Sequence, residues 1–548
     1  MLTCNYALLK HENVFMVFGM TEILSGREKF VRPRLPSLLM CWASAIEWFE
    51  VTINASMVDG VMQTHDEETK KFFQHSGVHC VLAPRYASTK LSIFKQHVVG
   101  TLYTHHQKCV VLDTQASGNN RKITAFIGGL DLCDGRHNTP KHRLYSDRDT
   151  VFNNDIHNPT FTSTVNVPRQ PWHDLHCKVE GQAVYDILKN FEQRWKKADF
   201  MDTLSLDKPR WQQKVQVKDE DDLENWHVQI FRSIDSGSVK GFPKSVEEAA
   251  KQNLICGKNL KVDKRIHTAY VKAIRSAQHF IYIENQYFLG SSYHWPSYKN
   301  AGANNLVPME LALKIARKIS ENERFYVYIV IPMWPEGVLT SAAVQEILFW
   351  QTLKKVGLSH KYHLSDYLNF YCLGKREPLS STQSSSQATN QQSENNALAS
   401  VQKFHRFMIY VHAKGMIVDD EYVIMGSANI NQRSLDGSRD TEIAMGLISR
   451  ITLGMGKRGI RMARMLLWAE HFGDLEDSFR EPQSTECVKR VNKIAKQNWK
   501  AYVDEDQHNP KEMRGHLIQY PIHVSRDGKV GPLAGFETFP DVGGKILG

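Results

Sequence analysis

The sequence has no Cys-x-x-Cys pair, no long apolar run and little surplus charge, and each lack removes a class of protein. Its 9 cysteines are scattered and odd in number, which argues against a disulfide framework or a paired-cysteine zinc site and fits a reducing compartment. The most apolar early stretch, Leu35 to Ile46, is interrupted by Pro36 and closed by Glu47, well short of the roughly 20 residues a membrane span needs. Lys10, His11 and Glu12 stand where a signal peptide carries its apolar segment. A cytoplasmic protein that lies at most against a membrane is expected. Lys+Arg exceed Asp+Glu by 68 to 59, a net +9 over 548 residues. That disfavours a nucleic-acid wrapper and leaves room for an anionic substrate or membrane surface. The remaining composition, 42% hydrophobic and 23% charged, is that of a globular chain with a sizeable core, long enough for about two to four structural units.

Two polar stretches punctuate the chain. Lys218-Asp219-Glu220-Asp221-Asp222 lies in a weakly periodic region from 202 to 225, and Ser380 to Asn396 is almost entirely Ser, Thr, Gln and Asn. Neither offers enough apolar surface to offset the entropy of ordering, so both read as solvated loops. Phe280 to Ile283 and Phe325 to Ile331 are rich in aromatic and β-branched residues and read as strands, the second ending at Pro332. Between them Leu311, Ile315 and Ile319 recur every four residues within a predicted helix, Met309 to Ile319. Strands alternating with helices predict an α/β fold.

One short pattern occurs twice. His106-Gln107-Lys108 is followed by Asp113, and His412-Ala413-Lys414 by Asp419, so both copies read His-x-Lys-x-x-x-x-Asp. His176-Cys177-Lys178 starts alike but has Ala183 in place of the Asp. Each full copy sits in a β-like run, Cys109 to Leu112 or Gly415 to Val418, that returns as a second apolar strand, Ile123 to Ile127 or Tyr422 to Met425. The return strands end in Gly128-Gly129 and Gly426-Ser427. Two copies in matching surroundings are not easily accidental.

Strand periodicity gives the spacing its meaning. Residues i and i+2 face the same way about 7 Å apart, so His and Lys project to one side. An imidazole beside an ammonium suits attack on phosphorus: the Lys neutralises phosphate oxygens, and the His serves as nucleophile, acid or base near neutral pH. Small residues after the return strand are expected to let backbone N–H groups approach the same phosphate, with Ser427 and Asn429 adding side-chain donors. Asp131 occupies in the first copy the place of Asn429, so the copies are not equivalent.

With these motifs the sequence resembles the phospholipase D superfamily, specifically the plant phospholipase D enzymes and most nearly their delta class. The resemblance runs from about residue 58 to the end. It includes Gly128-Gly129-Leu130-Asp131-Leu132-Cys133-Asp134-Gly135-Arg136, Pro171-Trp172-His173-Asp174-Leu175-His176, Ile283-Glu284-Asn285-Gln286-Tyr287-Phe288 and Gly426-Ser427-Ala428-Asn429-Ile430-Asn431-Gln432-Arg433. It implies two α/β halves about a pseudo-twofold axis, each a mixed sheet flanked by helices, that bring both motifs to one active site. The implied reaction hydrolyses the headgroup ester of a glycerophospholipid such as phosphatidylcholine, giving phosphatidate and a free alcohol at a membrane surface. His106 would be the nucleophile forming a phosphohistidine and His412 the acid, an assignment that near-symmetry leaves reversible. Lys108 and Lys414 would hold the phosphate, Asp113 and Asp419 would support the local fold, and Gln286 would line the phosphatidyl site. Asp174 and Glu442 are the implied acceptors for the second ring nitrogens. Calcium is the implied cofactor, at His142, His173 and Glu470, although that ion prefers oxygen ligands.

The expected organisation is an atypical segment 1–57, a first catalytic half 58–201 with its motif at 100–136, and a linking segment 202–260. A second half 261–475 carries its motif at 407–434 and the polar loop 380–396, before a C-terminal region 476–548. Residues 1–57 do not resemble the family, and the lipid-binding β-sandwich that usually comes first is not visible in this sequence. A catalytically inactive lipid- or protein-binding fragment is therefore the alternative reading.

Overall fold

In this computed structural model the described residues are 14–18, positions 71, 75, 83 and 85, and, with short internal gaps, 102–198, 226–334, 364–378, 394–449 and 457–541. The expected features at 35–46, 202–225 and 380–393, and the Asp113 side chain, lie outside them. The described strands in chain order are β1 Val14–Phe18, β2 Lys108–Gln115, β3 Arg121–Gly128, β4 Trp172–His173, β5 Leu175–Glu180, β6 Trp226–Asp235, β7 Ile255–Cys256, β8 Lys261–Lys264, β9 Phe280–Asn285, β10 Tyr326–Val330, β11 Leu368–Arg376, β12 Arg406–Val411, β13 Lys414–Val418, β14 Tyr422–Gly426, β15 Glu442–Ser449, β16 Leu517–Gln519, β17 Ile522–Val524 and β18 Val530–Pro532. The longer helices are α1 Ala183–Ala198, α2 Arg265–Ser276, α3 Val307–Ser320, α4 Glu394–Phe404, α5 Lys457–Phe472 and α6 Thr485–Tyr502.

Every residue of β9 and β10 is buried. They lie side by side in parallel, with β11 parallel on the far side of β10, and a parallel sheet covered on both faces needs such continuous apolar runs. Alternate residues serve opposite cores. Ile281, Ile283, Val327 and Ile329 pack with α2 and α3 through Ile266, Tyr270, Leu311 and Ile315. Phe280, Tyr282, Tyr326 and Tyr328 pack with α5 and α6 through Ile460, Trp468, Val491 and Ile494. The helix predicted at Met309 to Ile319 spans Val307–Ser320, opened by Pro308 where a missing N–H costs nothing.

The two motif hairpins are built alike. In the first half the antiparallel order runs β2, β3, β5, β1, and in the second it runs β13, β14, β15, β6. Across the junction a bridge joins His105 to Thr441, while Val411 pairs with His173 in the β12–β4 contact. These two crossings exchange equivalent places in the halves, which gives the mixed α/β fold its pseudo-twofold character. The expected linking segment supplies, from Trp226, the ten-residue β6 that pairs β15. The C-terminal region is likewise built into the second half, where β16 pairs β11 and α6 covers one sheet face. Helix α4 opens at Glu394, just inside the expected polar loop. Among the described residues no helix is long and apolar enough to cross a membrane.

Asp419 closes the turn between β13 and β14, where it and Asp420 adopt positive φ values of 54° and 55°. Its carboxylate accepts from the backbone N–H groups of Gln278, His279 and Phe280 at 2.7–2.8 Å. It thus fixes the first turn of chain entering β9 and does not face the motif's His and Lys. Asp419→Ala leaves three donors without that acceptor and is expected to cost about 3 kcal/mol, read as a lower denaturant midpoint, with Asp419→Asn losing less. A midpoint equal to the parent's in Asp419→Ala would contradict this role.

Candidate active site

Both histidines stand at a break between strands. His412 and Ala413 carry the chain from β12, which pairs β4 and β11, to β13, which pairs β9 and β14. His106 and Gln107 do the same between the His105 bridge and β2. At each break the Lys two residues on turns its ammonium back to the carbonyl of its own His: Lys108 Nζ donates to His106 O at 2.8 Å, and Lys414 Nζ donates to His412 O. Two close backbone approaches hold the returning strands. A Cβ on Gly128 would meet Leu175 O at 2.3 Å, and one on Gly426 would meet Ile443 O at 2.3 Å.

The expectation that the small residues free N–H groups for a phosphate is not what these strands do. Gly129 N–H donates to Leu175 O and Ser427 N–H to Ile443 O, both at 2.9 Å. Sheet pairing consumes those donors. The Ser427 side chain is also turned inward, fully buried, with its hydroxyl donating to Glu442 Oε2 at 2.5 Å. It reaches the site only through that carboxylate.

The orienting contacts cross between the halves. His106 Nδ1 lies 3.0 and 3.1 Å from the two oxygens of Glu442. His412 Nδ1 lies 2.7 Å from Asp174 Oδ2. Asp174 is itself held by Leu175 N–H at 2.9 Å and Trp172 Nε1–H at 3.3 Å. Because Ser427 Oγ accepts from Ile443 N–H at 3.1 Å, its own proton points at Glu442, which makes Glu442 the acceptor there. The same carboxylate then accepts His106 Nδ1–H, and the lone pair is left on Nε2.

The opposite sides of the rings share neighbours. Asp131 lies between the motifs, with Oδ1 3.1 Å from Lys108 Nζ and Oδ2 3.7 Å from His412 Nε2. Arg136 Nε is 3.8 Å from the same carboxylate, and its guanidinium covers the Trp172 ring at 3.9 Å. Gln286 receives Lys414 Nζ at 2.9 Å and Asn429 Nδ2 at 3.1 Å, and its own amide donates to Tyr410 Oη at 2.7 Å. His106, Lys108, His412, Lys414, Gln286 and Asn429 therefore form one cluster, with Asp131 and Tyr410 added to it.

Burial dominates the electrostatics. It drives His106 down to about 3, helped by the ammonium groups of Lys108 and Lys414, and drives His412 down to about 4, helped by Lys414. It pushes Glu442 up to about 8. Lys414 falls to about 7 through burial and then Lys108. Against the upward push of burial, Lys108 and the two imidazoles hold Asp131 well below the usual carboxylate range. The site is thus poised for an anion: crowded cations and neutral imidazoles await a negative charge.

A sequence model of phospholipase D matches residues 40–548, so the likeness begins inside the segment 1–57 that was expected to lie outside it. The chain belongs to the phospholipase D family. It is 56% identical to phospholipase D delta of Arabidopsis thaliana, over 89% of this chain and 62% of that protein. Identity is 54% to phospholipase D beta 1 (89% and 48% covered) and 52% to phospholipase D gamma 1 (89% and 61%), both from the same plant. The chain spans 48–62% of the length of these relatives.

Beside the phospholipase D motifs lies a buried histidine–carboxylate chain. Glu470 Oε1 meets His142 Nε2 at 2.8 Å and His173 Nδ1 at 2.9 Å, and Glu284 meets His173 Nε2 and His471 Nε2 at 2.7 Å each. His173 pays for burial with two facing carboxylates, which raise it well above the usual histidine range. His142, His173 and Glu470 do gather, as the resemblance implies, with ligand atoms within 4.8 Å of one another. Two imidazole nitrogens and one carboxylate are nonetheless a poor donor set for calcium, which takes six to eight oxygens. Sequence reasoning missed Glu284, His471 and Tyr410. Glu284 lies inside the quoted run Ile283 to Phe288, two residues before Gln286, and was the one available signal.

The crossed contacts make a direct prediction. Glu442→Gln and Asp174→Asn each keep shape while exchanging for an amide the acid that holds Nδ1 of the facing imidazole, so each is expected to lower kcat by about 10²–10⁴-fold with little change in KM. A steady-state assay showing full kcat in either variant would break the pairing.

Proposed function

We propose that this chain is a phospholipase D that hydrolyses the headgroup phosphodiester of glycerophospholipids such as phosphatidylcholine, through a phosphohistidine on His106. The observation that carries the proposal is the crossed bracing of the two imidazoles around shared cations. Lys108, Lys414 and Arg136 balance the phosphate charge, and Gln286 and Asn429 position Lys414 against it.

The unequal surroundings support one assignment of the roles. The His106 side chain is 24% exposed and that of His412 5%, so the His106 ring is the more open to an incoming phosphorus. His412 stands between two carboxylates, Asp174 at Nδ1 and Asp131 near Nε2, which favours the protonated ring once substrate charge offsets Lys414. His106 Nε2 attacks phosphorus, the P–O bond to the headgroup breaks, and His412 Nε2–H gives its proton to the departing oxygen. His412 then takes a proton from water, whose oxygen attacks phosphorus. The P–N bond breaks, releasing phosphatidate and restoring His106. A phospholipid membrane surface presents the substrate, and the chain acts there peripherally.

A leaving group that needs no proton separates the two histidines. With a phosphatidyl ester of p-nitrophenol, His412→Ala is expected to release one equivalent of nitrophenol in a burst and to trap the phosphoenzyme, while His106→Ala gives no burst. Turnover of phosphatidylcholine is expected to fall by at least about 10³-fold in both. Headgroup release surviving both changes refutes the chemistry.

The pH profile follows from Lys414. Its folded value lies at about 7, below the ordinary lysine value, because burial and then Lys108 disfavour the charged form. The ammonium that binds phosphate is therefore present below that pH and lost as pH rises through it. kcat/KM is expected to fall on the alkaline side from about pH 7. Lys414→Arg keeps its charge at all these values and moves that limb upward; an unmoved limb would assign it to another group.

A further inference from the structure

A second basic feature lies away from the two motifs. Helix α6 carries Lys489, Lys493, Lys496 and Lys500 at i, i+4, i+7 and i+11, spacings that fall on a single helix face. The opposite face is buried through Cys487, Val491, Ile494 and Ala495. All four lysines are exposed, and none forms a salt bridge among the described residues. A solvated helix face ordinarily mixes signs so that such neighbours attract. Here they repel.

The stripe is also concave. It forms one wall of a cleft of about 450 Å³, whose other wall contains Arg324 and, as its one acid, Asp366. Among the described residues, five basic side chains and one carboxylate thus line the cleft. The floor is polar and fixed: Tyr326 Oη and Thr485 Oγ1 are 2.7 Å apart, and Asn492 accepts from Tyr371 Oη at 2.7 Å and donates to Asn369 Oδ1 at 2.9 Å. That volume is within the range of small-ligand sites. Clustered lysines beside a floor whose polar groups are held by one another match the chemistry of several phosphate groups held close together.

The position selects between sources of such phosphates. Tyr326 pairs with Phe280 at the start of β9, whereas Gln286 follows the end of that strand and sits among the motif residues. Six residues at 3.3 Å each separate the two ends by about 20 Å. The cleft therefore opens at the end of the sheet away from the motifs, and if the motif end meets lipid, as the proposed function requires, this end faces water. We infer that the cleft is a binding site for a soluble small molecule carrying several phosphates, such as an inositol polyphosphate.

Titration calorimetry of the full chain in 0.15 M salt, with inositol hexakisphosphate and with tripolyphosphate as probes, tests this. The expected result is saturable 1:1 binding, weakened at least tenfold in Lys493→Glu/Lys496→Glu and unchanged in Lys272→Glu, an exposed charge change on α2. Phospholipid turnover in the absence of either probe serves as the independent readout of folding and of the proposed catalytic function, and is expected to be unchanged in both variants. Should turnover be absent from the parent chain, binding still decides the inference. No saturable binding, an equal loss in Lys272→Glu, full binding in the double variant, or binding only to vesicles containing polyphosphoinositides and not to either free probe would each overturn it. If the double variant unfolds, Lys489→Gln and Lys500→Gln, each expected to weaken binding several-fold, replace it.

Discussion

The exchange of carboxylates between halves is the contact on which the rest of this molecule depends. His106 finds its Nδ1 partner on β15, and His412 finds its partner beside β5. A buried imidazole has no fixed tautomer of its own, and one acceptor at Nδ1 is what commits the lone pair to Nε2. The two parallel crossings, His105 with Thr441 and Val411 with His173, set the register in which those partners meet. Strand pairing and proton placement are therefore a single constraint.

Sheet geometry also explains which motif residues stay out of the chemistry. Ser427 spends its hydroxyl on Glu442, and the N–H groups of Gly129 and Ser427 close the sheet. Asp419 binds the chain entering β9. The second copy of the eight-residue motif thus contains two residues that join the shared cluster and one that builds the strand next door. Building the cluster and supporting the strands are divided along one short stretch of chain.

Much of this was legible in the sequence. The repeat was visible because His and Lys two residues apart must share a strand face, and the central strands because burial on both sides leaves uninterrupted apolar runs. What was hidden needs distance information. Asp174 and Glu442 could be named as acceptors, but their crossing between halves follows from β4 and β12 meeting, which no local pattern encodes. β6 was read within a linking segment because its first four residues alternate between partly buried and exposed and its partner β15 comes more than two hundred residues later. Of the histidine–carboxylate chain around His173, Glu284 and His471 escaped notice because its members come from four separate segments.

The two copies differ where Asp131 stands in the place of the Asn429 amide. A pair of identical halves assembled from separate chains would have to carry the same residue at both places, and its two imidazoles would then be interchangeable. Joining the halves in one polypeptide lifts that requirement. One ring can be kept open and unprotonated while the other is flanked by acids, so the direction in which a bond is broken becomes a property inherited from covalent linkage of the halves.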